Sequence, residues 1–155
     1  MKQRKFLLAL LVCAVIIGCL PIPANATETP DKNIIWLDDL EGEWIDLSTV
    51  EQPDDGPLPR TTVSTNGTYS AHSIWAVGQP IDFNANDLIT FNCSYSPSSA
   101  SLDFGVIASN NKFYSINVKG GSINQTLGIN EAGSYTVAIR NNSSQTVRVV
   151  GFVNY

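Results

Sequence analysis

The sequence predicts an all-β protein: an antiparallel, jelly-roll-like β-sandwich that follows a signal peptide and an acidic, partly irregular segment. Three observations support this prediction. The first residues have the order of an export signal. After Arg60, apolar and polar residues alternate, with turn residues every eight to twelve positions. The same region shows no helical period, and short alternating strands with frequent turns are typical of sandwiches and barrels.

Residues 1–26 have the three parts of a signal peptide. Basic residues near the start precede an uninterrupted apolar stretch over 6–20, and Ala24 and Ala26 then form a small-residue cleavage site. The stretch is shorter than the roughly 20 apolar residues that span a membrane. We therefore expect cleavage after Ala26, secretion, and no transmembrane helix in the mature chain. Residues 16–19 also resemble a lipobox, so the alternative is lipid anchoring at the cell surface through Cys19.

Charge and cysteine content narrow the class of protein. Cleavage after residue 26 leaves 129 residues, enough for one domain with its own core. Residues 27–59 contain ten acidic residues and one lysine, and the mature chain has a net charge of −8. We expect no nucleic-acid partner, because no basic patch is available to neutralise phosphates. Cys93 would be the one remaining cysteine. The lack of an internal disulfide favours a bacterial origin, since secreted eukaryotic domains of this size often use disulfides.

The mature chain divides into an acidic N-terminal segment, 27–59, and a sandwich domain, 60–155. Within the acidic segment, 34–37 and 44–47 could each form a short strand or a single helical turn, and the pattern does not decide between them. The Pro, Gly and Asp residues over 52–59 indicate a linker or an extended loop.

Alternating stretches indicate the strands of the sandwich domain. The clearest is 88–95, where Ile89, Phe91, Cys93 and Tyr95 share one face. Further strands are predicted around 102–106, 114–118, 123–129 and 135–139, with a turn at 119–122.

The last strand, 146–155, is apolar on both faces at 149–150 and again at 152–153. Either the strand is central and covered on both sides, or Gly151 marks a bulge that exchanges the two faces. In both cases the C-terminus belongs to the sheet, so removing the last five residues should destabilise the fold.

Few residues are suited to catalysis. His72 is the sole histidine of the sequence and lies in 69–75, a predicted strand. Cys93 lies on an apolar face, where a buried thiol is inert, and the sequence has no Gly-x-Ser-x-Gly nucleophile elbow. A glycosidase needs two facing carboxylates, but the acidic residues of the sandwich domain have the pattern of turn or surface residues: Asp82, Asp87, Asp103 and Glu131. We therefore predict no catalytic residues and no enzymatic activity.

Metal and ligand sites are also sparsely indicated. Residues 38–43 offer several carboxylates for calcium, but their spacing matches no EF-hand, and solvated acids in a linker are the simpler explanation. We predict neither a metal site nor a cofactor. Trp36, Trp44 and Trp75 are candidates for an aromatic platform that stacks on sugars. The alternative is that they lie in the core or fix the acidic segment to the sheet.

Residues 87–155 resemble the GOLD domain, a β-sandwich of secretory-pathway cargo proteins and lipid-transfer proteins. The matching stretches are 88–91, 102–106, 133–142 and the closing strand. The region is also similar to small exported Firmicutes proteins, which share the turn at 140–144 and the C-terminal end. The resemblance implies an interaction domain without catalytic residues. The cysteine pair of the cargo receptors is missing, so a role in vesicle traffic is not implied.

These observations predict a secreted, non-catalytic β-sandwich that binds a partner at or beyond the surface of a bacterial cell. The partner could be a protein or a cell-surface glycan. Two alternatives stay open: a carbohydrate- or cell-wall-binding module, and a hydrolase of unrecognised type.

Overall fold

The computed structural model describes residues 34–52 and 62–155. Residues 1–33 and 53–61 lie outside this range, and with them the signal peptide and the sites at Ala24, Ala26 and Cys19. The described residues form strands that assemble into two sheets around a shared apolar core, which confirms the predicted all-β sandwich. Within the described ranges, no helix is long and apolar enough to cross a membrane.

The described residues contain twelve strands: β1 Ile34–Trp36, β2 Glu43–Trp44, β3 Val50–Glu51, β4 Thr62–Tyr69, β5 Ile74–Ala76, β6 Ile81–Phe83, β7 Leu88–Ser96, β8 Leu102–Ala108, β9 Lys112–Val118, β10 Ser122–Gly128, β11 Gly133–Asn141 and β12 Val147–Asn154. Sheet A has the order β1-β10-β7-β12-β4, and sheet B has the order β2-β9-β8-β11-β5-β3, with β6 also paired to β11. The pairs are antiparallel except for β1 with β10 and β3 with β5.

The main core lies between the two sheets and is formed by inward-facing residues of the longer strands. On β7, the predicted inward set Ile89, Phe91, Cys93 and Tyr95 is buried throughout. The ring of Phe91 packs edge-on against Phe104 of β8, with centroids 5.8 Å apart. Burying a side chain of this size stabilises the fold by about 1.5–3 kcal/mol, so the alternation that predicted the strands also accounts for the packing of the sheets.

The turn predicted at 119–122 joins β9 to β10. Gly120 and Gly121 have φ of +104° and +90°. Residues with a side chain rarely adopt such angles, so this turn depends on glycine at both positions.

β12 differs from both alternatives that the sequence offered. It is central, between β7 and β4, and its register with both neighbours is continuous through Gly151, so there is no bulge. Val149 and Val153 point into the core, whereas Val150 and Phe152 point outward and are 46% and 54% exposed. The strand is therefore covered on one face only. Its outward apolar residues form part of the protein surface.

His72 lies in a turn between β4 and β5, not in a strand, which corrects the prediction for 69–75. Its φ is +56°, and the residue is exposed. The left-handed conformation at His72 lets the chain leave β4, on sheet A, and enter β5, on sheet B, within four residues. The alternation around His72 predicted a continuous strand because it carries no marker of this reversal.

The described part of the acidic segment adds strands to both sheets. Residues 34–36 and 43–44 are short strands, and each is followed by a 3-10 turn, at Leu37–Asp39 and at Leu47–Thr49. The sequence left open whether 34–37 and 44–47 form a short strand or a helical turn, and in each case the structure has a strand followed by a 3-10 turn. Residues 43–51, from β2 to β3, run from one edge of sheet B to the other, and we name this stretch the belt.

The belt covers the outer face of sheet B. Val50, together with the half-buried Ile45, packs into a second apolar cluster on the face of sheet B that points away from sheet A. The other members of this cluster come from β5, β8, β9 and β11: Ile74, Ala76, Ile107, Phe113 and Ala138. The belt therefore buries the apolar residues on the outer face of sheet B.

Candidate functional site

The largest charged cluster among the described residues lies on the outer face of sheet B and includes Glu43 of the belt. Asp103 of β8 is 4% exposed, which corrects the prediction that it is a surface residue. Its carboxylate accepts hydrogen bonds from the guanidinium of Arg140 at 2.7 and 2.8 Å and from Asn117 at 2.6 Å. Arg140 also pairs with Glu43 of the belt at 2.7 Å. Asp103 does point away from the main core, as predicted, but the belt and Arg140 cover that side as well.

The geometry of the Arg140 cluster indicates a structural role. Burial alone would lower the pKa of Arg140, but its hydrogen bonds to Glu43 and Asp103 outweigh burial and raise the pKa above its usual value. The guanidinium also lies over the ring of Phe113, 5.3 Å from its centroid. Among the described residues, Arg140 thus contacts two carboxylates and one aromatic ring. These contacts occupy Nε and Nη2 of the guanidinium with carboxylates of the same fold.

The candidate groups for nucleophilic chemistry are far apart in the fold. Cys93 is buried in mid-strand on β7, with its Sγ 3.6 Å from the hydroxyl of Thr65 and 3.7 Å from the carbonyl of Phe152. Burial raises the pKa of this thiol. His72 lies in the exposed turn between β4 and β5. The structure therefore does not bring the thiol and the imidazole together.

The three tryptophans are not neighbours. Trp36 lies on β1, at the edge of sheet A, and its ring packs directly on Gly128 of β10. Trp44 lies on β2, at one edge of sheet B; it is 69% exposed, and Lys112 lies 5.8 Å from its ring centroid. Trp75 lies on β5, near the opposite edge of sheet B, and packs against Tyr69. Trp36 thus fixes the acidic segment to sheet A, and no shared platform forms.

Among the described residues, no three His, Cys, Asp or Glu side chains are grouped closely enough to hold a metal ion. This includes the acidic stretch 38–43. Asp38 lies in a 3-10 turn, whereas Glu43 lies on β2 at the edge of sheet B, where it pairs with Arg140.

The outer face of sheet A, made of side chains that point away from sheet B, is the exposed surface with the most distinctive chemistry. No described residue packs over Val150 and Phe152 at its centre. The strand register places Asn92 and Ser64 beside Phe152, and Ser94 beside Val150. Side chains at i and i+2 of a strand are separated by about 7 Å. The two apolar residues therefore form one contiguous patch with a polar border.

Hydroxyl and amide groups dominate the rest of the outer face of sheet A. Thr90 and Thr126 form a hydrogen bond across β7 and β10 at 3.0 Å, and Thr62 donates to Asn154 at 2.8 Å. On β4, β7, β10 and β12, Arg148 is the one charged side chain on this face, and it donates to Asn66 at 3.2 Å. A face with this single charge contrasts with the acidic character of the whole chain.

The sequence patterns did not indicate the central residues of this face, nor a buried asparagine that joins two turns by hydrogen bonds. Val150 and Phe152 read as strand core, because nothing in the pattern tells which apolar face of β12 is covered. Asn141 was predicted to lie in a turn, but it is the last residue of β11 and is fully buried. Its amide donates to the carbonyls of Tyr69, Ser70 and Gln145 at 2.7–3.1 Å. It thereby ties two inter-strand turns together.

Comparison with known proteins does not assign the chain to a family. No family model matches it, and no curated protein is significantly similar to it. The resemblance of residues 87–155 to the GOLD domain stays a prediction.

Proposed function

We propose that the exported part of the chain is a non-catalytic binding module and that its ligand binds the outer face of sheet A. The observation that carries this proposal is the difference between the two outer faces. The belt buries the outer face of sheet B, whereas no described residue covers Val150 and Phe152 on sheet A. An exposed apolar patch bordered by polar groups is typical of a binding surface.

A non-catalytic role is supported by the placement of the reactive groups. Cys93 is buried, with a raised pKa, His72 is in an exposed turn, and the carboxylate of Asp103 is saturated by Arg140 and Asn117. Turnover of a bound glycan that disappears in His72→Ala would instead support the hydrolase alternative.

The chemistry of the face favours a neutral glycan as the ligand. A pyranose ring has an apolar C–H face that stacks on an aromatic ring, and its hydroxyls need both donors and acceptors. Phe152 supplies the ring, and Asn92, Ser64 and Ser94 supply amide and hydroxyl groups around it. A strongly charged partner would find only Arg148 to pair with on β4, β7, β10 and β12. The favoured ligands are therefore uncharged polysaccharides of a cell wall or cell surface, and binding to a protein partner is the competing outcome.

The test is binding of residues 27–155 to a glycan array and to insoluble cell-wall polysaccharides. Phe152→Ala removes the central ring, and we expect affinity to fall by about tenfold, the equivalent of roughly 1.4 kcal/mol. Trp44→Ala is the matched control, because it removes a more exposed aromatic side chain from the edge of sheet B. We expect it to bind as the parent does. Equal binding by Phe152→Ala and the parent would refute the assignment of the face, and binding to no glycan at all would refute the ligand class.

A further inference from the structure

One end of the sandwich contains a cavity of about 310 Å³, which is separate from the outer face of sheet A. It lies where the turn between β8 and β9, the loop between β10 and β11, and the first 3-10 turn come together. Ligand pockets start at about 300 Å³, so this cavity has room for a small molecule. Its lining combines two tyrosines and two carboxylates with amide and hydroxyl groups: Tyr114, Tyr135, Asp38 and Glu131 are the aromatic and charged members.

The two tyrosines stand on either side of β8. Tyr114 of β9 is paired with Val106, and Tyr135 of β11 is paired with Ala108. The hydroxyl of Tyr135 donates to the backbone carbonyl of Glu131 at 2.9 Å. Burial raises the pKa of Tyr135, and the charges of Glu131 and Tyr114 raise it further. The Tyr135 hydroxyl therefore lies against the backbone of Glu131, and the raised pKa keeps this hydroxyl protonated at neutral pH.

The charge of the lining has one sign. Asp38 and Glu131 are acidic, and no Lys, Arg or His is among the described residues that line the cavity. The ion pairs formed by the described residues all involve Arg140, so neither carboxylate is neutralised by a salt bridge within that part of the chain. Aromatic faces and carboxylates both attract cations, and they do so more strongly in a partly enclosed site.

We propose that this end cavity binds a small organic ammonium ion, held between the rings of Tyr114 and Tyr135 with its charge facing Glu131 and Asp38. A simple metal ion is a poorer fit, because no three His, Cys, Asp or Glu side chains of the described residues come together here to hold one. The ammonium group gains from the aromatic rings as well as from the carboxylates.

The experiment is a titration of ¹⁵N-labelled residues 27–155 followed by NMR, with choline as the probe. Its neutral isostere 3,3-dimethylbutan-1-ol has the same shape without the charge. We expect choline to shift the amides of Ser109, Asn110 and Gly133 saturably with a Kd of about 1–10 mM, and the isostere to bind at least about tenfold more weakly. Equal shifts from both compounds, or no shift from choline, would overturn the proposal.

Two variants with the same change of net charge separate a site from general attraction. Glu131→Gln removes a carboxylate from the cavity, and Glu51→Gln removes one from β3, across sheet B. We expect choline to bind about fivefold more weakly to Glu131→Gln and unchanged to Glu51→Gln. Equal weakening by both would overturn the proposal, as would a Ca²⁺ titration that shifts the same amides at lower concentration than choline. Phe152→Ala should leave choline binding intact, so this test is independent of the glycan proposal.

Discussion

The buried carboxylate of Asp103 offers a quantitative test of how much its charged cluster stabilises sheet B. Asp103→Ala removes the acceptor of three hydrogen bonds, two of them from the guanidinium of Arg140. Breaking a buried ion pair by deleting one partner costs about 3–5 kcal/mol. Arg140 is 24% exposed and keeps Glu43 as a partner, so the loss of stability should lie near or below the lower end of that range. We expect Asp103→Ala to lower the free energy of unfolding by about 2–4 kcal/mol.

The measurement is urea denaturation of residues 27–155, followed by tryptophan fluorescence. Glu43→Ala is the matched control, because it removes the other carboxylate that pairs with Arg140, and that side chain is 60% exposed. Exposed ion pairs contribute at most about 1 kcal/mol, so Glu43→Ala should be nearly neutral. If the two variants lose equal stability, or if Asp103→Ala loses less than about 1 kcal/mol, the buried ion pair does not stabilise sheet B as described.

Four further expectations follow from the fold. Gly105→Ala should cost at least about 2 kcal/mol, since the new Cβ would collide with the Tyr114 carbonyl oxygen on β9; a melting temperature equal to the parent's would contradict this. Deleting 151–155 removes half of a central strand, and the truncated chain should lose its cooperative thermal transition; equal heat stability would count against the placement of β12. Burial raises the pKa of Cys93, so the folded protein keeps a thiol proton that the unfolded protein releases. The free energy of unfolding should therefore fall as pH rises above roughly 8.5, and it should fall less steeply in Cys93→Ala. His72→Gly should be neutral or stabilising by up to about 1 kcal/mol, because φ is positive there; clear destabilisation would favour the strand that the sequence predicted.

The strands could be predicted because alternation reports burial directly. Residues 88–96 alternate without interruption, and β7 is the central strand of sheet A whose inward residues fill the core. The reversal at His72 could not be predicted in this way. It depends on a positive φ at His72, and the sequence has no glycine there to indicate such an angle. Local pattern predicts which side chains share a face, but not where the chain changes sheet.

The candidate site was harder to predict because it depends on what covers each face. Asp103 and Phe152 are both outward residues of central strands, yet the first is buried and the second is exposed. The difference is the belt, which pairs at both edges of sheet B. Its course is fixed by strand pairs with β5 and β9, which are distant in sequence. No periodicity within 43–51 indicates that pairing.

The most direct test of the outer face of sheet A is to map the bound ligand by NMR. With the best-binding glycan at saturation, we expect the largest amide shifts on β12 and its neighbours β4 and β7, centred on Val150 and Phe152. The amides of the belt should be unaffected. Shifts confined to the belt, to the outer face of sheet B or to the end cavity would contradict the assignment of the binding surface.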